Sequence, residues 1–207
     1  MQPTRPSLAL LALLLPTMAL AQPDPRFAAL HQRSEPLGGL GAFLDKYVGT
    51  CDDVFSRAEC EGNARQYRKD VAQKRFYMLR DDPGSLLAPG SYDPETGELM
   101  VLLTPIFGAN GFALTSGTPR QLDANGNPMM KVVKLKGRTT QGFSQDQFER
   151  LFRRHELHLE LIFTPEKPWA ISRGKHTVKG VQARILGVAV VHSRSGETIA
   201  AWAAKGA

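Results

Sequence analysis

Glu156 is flanked by two histidines in the run His155-Glu156-Leu157-His158. On a helix, His155 and His158 would share a face, because residues three apart are neighbours there. Two imidazoles on one face could hold zinc, with Glu156 as the general base of a hydrolase. The zinc-protease pattern H-E-x-x-H puts two residues between the glutamate and the second histidine; here only Leu157 intervenes. Strand-like alternation also begins at Leu157, which would end the helix between the histidines. The competing reading is a solvated helix end, with His155 near the C-terminal carbonyls, where a cation is favoured. No metal or cofactor is assigned, and a zinc hydrolase using His155, Glu156 and His158 stands as the alternative function.

A second candidate is cationic. Lys134, Lys136 and Arg138 fall on one face of a strand while Val133 and Leu135 fall on the other. Arg150, Arg153 and Arg154 follow closely in sequence. The functional reading is a stripe for an anionic ligand. The structural one is a solvated sheet face, or lysines that protect an edge from pairing. No aromatic residues interleave with these cations, so a nucleic-acid partner is not expected.

Other motifs reduce to turns. Asp123-Ala124-Asn125-Gly126-Asn127 resembles the start of a calcium loop, but the sixth and twelfth positions are Pro128 and Lys134 where an EF-hand needs Gly and Glu. Ser116-Gly117 and Ser195-Gly196 lack a G-x-S-x-G context. Gly38-Gly39-Leu40-Gly41 has neither a preceding strand nor a following Lys-Ser/Thr, so it is not a phosphate loop. Trp169 and Trp202 suit a core or a rim.

The compartment follows from the N-terminus. Arg5 gives a positive start, Leu8 to Leu15 an apolar run, and Ala19-Leu20-Ala21 a cleavage signature. Residues 1–21 are therefore expected to be a signal peptide, leaving Gln22 first and an exported protein, periplasmic or extracellular. The apolar run is far short of the ~20 residues of a membrane span, and no later run is long enough either. In an exported chain with two cysteines, Cys51 and Cys60 read as a disulfide. The formal net charge of +6 is compatible with an anionic partner and with solubility alone.

The elements that must position these residues are read from periodicity. Residues 22–36 hold Pro23, Pro25 and Pro36 and read as a flexible arm; residues 37–207 read as one α+β domain. Leu40, Leu44, Tyr47 and Val48 mark a first helix stopped by Gly49. Ser56-Arg57-Ala58-Glu59 reads as a capping box opening a second helix, with Cys60, Ala64, Tyr67 and Val71 on one face. Strands are expected over 75–80, 98–107, 111–116, 131–137, 157–163, 177–192 and 197–203, with a bulge or bend at Gly187. Ser144-Gln145-Asp146-Gln147 is a second capping box, whose helix would cover one edge or opening of the sheet. The fold class expected is α+β: an N-terminal helical pair, then a curved, mainly antiparallel β-sheet, barrel-like or sandwiched, with one covering helix.

Tyr92-Asp93-Pro94-Glu95-Thr96-Gly97-Glu98 and Phe112-Ala113-Leu114-Thr115-Ser116-Gly117 resemble a family of small exported bacterial proteins with a domain of unknown function. The resemblance implies a signal peptide, a close cysteine pair, a helix, and β-rich sequence to the end. It implies no activity. The function expected is that of an exported, non-catalytic protein binding an apolar or anionic ligand, an anionic envelope component, or another exported protein.

Overall fold

The computed structural model describes residues 23–49, 51 and 55–206. The expected signal peptide lies outside them. In chain order the elements are α1 (Pro25–Gln32), β1 (Glu35–Pro36), α2 (Leu40–Val48), α3 (Arg57–Val71), β2 (Phe76–Arg80), β3 (Tyr92–Asp93), β4 (Glu98–Leu103), β5 (Ile106–Phe107), β6 (Ala113–Thr115), β7 (Gln121–Leu122), β8 (Pro128–Met129), β9 (Val133–Thr139), α4 (Gln145–Arg153), β10 (Leu157–Arg173), β11 (His176–His192) and β12 (Thr198–Ala203). The fold is α+β.

One mixed sheet of ten strands runs β1-β2-β10-β11-β12-β9-β4-β3, and β6 adds β5 through a parallel pairing with β11. β1 pairs parallel with β2, and every other pairing on the main path is antiparallel. The sheet does not close into a barrel. It ends at β1 and β3, each two residues long, and such short edges offer too few ladder bonds to join one another. β7 and β8 form a separate two-stranded hairpin.

The sheet is packed on both faces. On the inner face, Leu157, Leu159, Leu161 and Phe163 of β10 join Val188 and Val190 of β11, Leu99, Val101 and Leu103 of β4, and Leu135 of β9. Phe43, Leu44 and Tyr47 of α2 and Phe148 of α4 close this core. Phe43 is its aromatic hub, with ring centroids 5.3 Å from Phe76 and 5.8 Å from Phe163. The α4 cap forms as its sequence predicts: Gln147 N–H donates to Ser144 Oγ, and Ser144 N–H to Gln147 Oε1. The corresponding box at Ser56 does not form, since Ser56 makes no side-chain cap bond at the start of α3.

The outer face corrects the reading of residues 22–36 as a flexible arm. Pro25–Gln32 is helical, with Pro25 in the first turn and Asp24 accepting from Arg26 N–H. Phe27 and Leu30, three apart, pack on Ile162, Leu186, Ala189, Val191, Ala201 and Ala203. A helix of eight residues does not hold itself together in water, so burial of these two side chains decides its structure. Burial is worth roughly 1.5–3 kcal/mol per large apolar side chain. Gly187 is where the ring of Phe27 approaches the sheet: a Cβ there would lie 2.9 Å from its Cδ2. The register also slips beside Gly187, between Ile162 and Phe163 of β10.

Cys51 and Cys60 form a disulfide, with Cα atoms 5.6 Å apart, inside the usual bridging range. It joins the turn after α2 to the first turn of α3. Arg68 adds a second tie, donating to the carbonyl oxygen of Tyr47 at 2.7 Å, one of the unpaired carbonyls at the C-terminal end of α2.

Candidate functional site

The His155–Glu156–His158 run straddles a helix end, and its members go to different partners. Glu156 N–H donates to Leu151 O and His155 N–H to Phe152 O. These are the two bonds of a Schellman motif, with His155 in the left-handed position (φ 54°) that glycine usually takes. His155 is exposed. His158 lies on β10, with Nδ1 3.8 Å from Asp81 Oδ1. Glu156 is nearly buried, and its Oε1 lies 2.8 Å from Arg194 Nη2. Among the described residues no group of three or more His, Cys, Asp and Glu side chains is arranged to hold a metal ion.

Glu156 instead joins a constellation that sequence spacing did not single out. Its Oε2 is 3.8 Å from His192 Nε2, and His192 Nδ1 is 2.8 Å from Ser195 Oγ. Carboxylate, imidazole and hydroxyl in this order suggest a nucleophile with its base and orienting acid. The local bonding argues otherwise. Ser195 Oγ accepts from Glu197 N–H, and Gly196 N–H is already given to His192 O. The 3.8 Å from Glu156 to His192 is too long for a hydrogen bond to orient the ring. The arrangement fastens the β11–β12 hairpin over the end of α4. The only sequence signal for it was the turn Ser193-Arg194-Ser195-Gly196.

The loop at Asp123 is likewise a turn. Its Oδ1 accepts from Asn125 N–H and Asn127 N–H, each at 2.8 Å, and its Oδ2 accepts from Asn127 Nδ2. These bonds, led by that from the Asn127 backbone, hold its carboxyl below the usual carboxylate range.

The cationic stripe is assembled as its alternation predicts. Leu135, Gly137 and Thr139 of β9 point inward and are buried, while Lys134, Lys136 and Arg138 are exposed. Residues directly opposite on β4 and β12 share that face. Lys134 is opposite Leu102, Lys136 opposite Met100, and Arg138 opposite Glu98 on one side and Ala201 on the other. Ala201 also packs in the outer cluster beneath α1, so the stripe lies on the same face as that helix. α1 covers β10, β11 and β12; beyond it, among the described residues, Lys134, Lys136 and Arg138 of β9 stand exposed on this face. Alternate strand residues are about 7 Å apart, so three cations form a row with half-buried Met100 and Leu102 beside them. Glu98 is the one carboxylate in the row, 3.4 Å from Lys136 Nζ. Among the described residues Lys134 and Arg138 make no ion pair.

A family model described as a family of unknown function (DUF6066) matches residues 4–207. No curated protein and no solved structure matches the chain.

Proposed function

The chain belongs to this family of unknown function (DUF6066), and from the geometry of its own residues we propose that it is an exported, non-catalytic protein that binds an anionic component of the cell envelope. The observation that carries the reading is the row Lys134, Lys136 and Arg138, exposed on a sheet face that no helix among the described residues covers. Three cations at regular backbone spacing along a strand match a repeating anionic surface, and their summed field also speeds encounter. Export is supported by the signature at residues 1–21 and by the Cys51–Cys60 disulfide, which suits an oxidising compartment. No helix among the described residues is long and apolar enough to cross a membrane. The non-catalytic part is supported by the separate partners of Glu156 and His158, by the exposure of His155, and by the 3.8 Å between Glu156 and His192.

The test is cosedimentation with vesicles of phosphatidylglycerol and phosphatidylcholine, compared with phosphatidylcholine alone. The protein should bind the anionic vesicles more tightly, and the difference should shrink as salt rises, because exposed charges are screened within about 10 Å at 0.1 M salt. The triple substitution Lys134→Glu, Lys136→Glu, Arg138→Glu should abolish it. Equal binding by this variant, or no preference for anionic vesicles, would refute the stripe. For export, mass spectrometry of the secreted or periplasmic fraction should find an N-terminus at or near Gln22; an intact Met1 would refute it.

A further inference from the structure

Two of the apolar side chains that neither core absorbs lie together. Met129 is 45 % exposed and Val133 37 %, and with Met130 they line a groove of about 650 Å³. That volume lies within the range of small-molecule clefts, about 300–1,000 Å³. The far wall comes from the loop after β6: a Cβ on Gly117 would lie 3.9 Å from the Met130 methyl carbon. Val133 and Lys134 are adjacent in β9 and face opposite sides of it, so the groove is separate from the cationic stripe.

The polar groups of the groove share one electrostatic character. Its only charged lining residues are Arg120 and Lys131, and neither makes an ion pair among the described residues. Ser116 also lines it, and Ser116 Oγ is the one buried side-chain oxygen or nitrogen among the described residues without a hydrogen-bond partner. An apolar floor of flexible methionines beside two unpaired cations asks for one kind of molecule. It has a hydrocarbon chain, which methionine can follow without a fixed shape, and a small anionic head.

We propose that this groove binds a long-chain carboxylate. The chain lies over Met129, Met130 and Val133, and the carboxylate meets Arg120 and Lys131. The volume suits one chain and a small head group rather than a two-chain lipid.

The test is titration of the full-length mature protein with dodecanoate by calorimetry, with dodecanol as the neutral comparator. One molecule of dodecanoate should bind per chain, and dodecanol at least about tenfold more weakly, a difference of about 1.4 kcal/mol. The double variant Met129→Glu, Val133→Glu changes exposed positions only, so its circular dichroism should match the wild type while dodecanoate affinity falls at least about tenfold. Met129→Leu with Val133→Ile should retain binding. The stripe variant Lys134→Glu, Lys136→Glu, Arg138→Glu should also bind dodecanoate normally, which separates failure of this proposal from failure of the envelope-binding one. The proposal is overturned by absent binding, by equal affinity for dodecanol, or by unchanged affinity in the glutamate variant. It is also overturned if sedimentation finds a dimer that the glutamate variant dissociates, since a second copy would then be the occupant.

Discussion

Replacing Gly187 by alanine places a methyl carbon against the ring of Phe27. The new Cβ would lie 2.9 Å from Phe27 Cδ2 and 3.2 Å from Cε2, while its next neighbour, Trp202 O, is at 3.5 Å, an ordinary contact. Carbon atoms pack best at about 3.5–4.0 Å, so the ring must retreat by more than about half an ångström from a site where it is 5 % exposed. Overpacking of this kind is destabilising by about 1–3 kcal/mol. Phe27→Ala alone forfeits the main anchor of α1. The usual cost of a buried Phe→Ala is about 3–5 kcal/mol, but here a short helix can detach instead, which places the loss at or below the lower end. In the double variant the alanine at 187 meets no ring. What remains is its strand preference over glycine, worth about 0.5–1 kcal/mol. Gly187→Ala should therefore destabilise the wild type and be neutral or stabilising in the Phe27→Ala background, a coupling of about 1–3 kcal/mol. Urea denaturation of the four proteins, with the disulfide intact and equal slopes, measures it. If Gly187→Ala has the same effect in both backgrounds within about 0.5 kcal/mol, Phe27 does not pack there, and α1 does not lie on this face.

Reducing Cys51–Cys60 should destabilise by about 2.5 kcal/mol, from the entropy of a loop closed over a separation of nine residues; hydrogen exchange should show α2 and α3 losing protection first, and equal loss across β10 and β11 would contradict this. His155→Gly should stabilise by roughly 1 kcal/mol, since glycine takes φ 54° without strain; a zinc hydrolase using His155 would instead lose its activity, so thermal unfolding and a hydrolysis assay of the same variant separate the two. Asp24 has its carboxyl held below the usual range, chiefly by the hydrogen bonds from the Arg26 side chain, and Arg26 also donates to Ala203 O on β12. A depressed folded pKa means the contribution is complete above the unfolded value near 4 and is lost as pH falls through the folded value. Protection of α1 in hydrogen exchange should therefore fall with acid below about pH 4, and Asp24→Asn should abolish that dependence while keeping the cap.

Local chemistry alone determined much of this protein. The alternation of Lys134, Lys136 and Arg138 with Leu135 made the stripe legible, because a strand allows only two faces and burial of leucine chooses between them. Ser144 and Gln147 stated the start of α4, since both halves of a capping box are within reach in any chain that turns helical there. A separation of nine residues between the cysteines, in a chain with an export signature, made the bridge legible as well. The α+β class followed from the change of period after Lys74.

Tertiary contacts decided the rest. Phe27 and Leu30 are too few to announce a helix among prolines; they make one because β10, β11 and β12 present a patch of alanines, Val191 and Leu186 to cover. Strand pairing across distant segments set where the sheet ends, and two-residue edges left it open where curvature had suggested closure. Ser56 had the right neighbours for a cap and makes none, because its own backbone (φ −103°, ψ 2°) is not in the extended conformation an N-cap usually takes. Glu156 drew attention through its flanking histidines. Its actual partners, Arg194 and His192, come from the far end of a hairpin, and their distance from it in sequence carried no signal. Whether a polar residue reaches its neighbours along the chain or across the fold is fixed by which faces are buried together, and that is a property of the packed sheet rather than of any single segment.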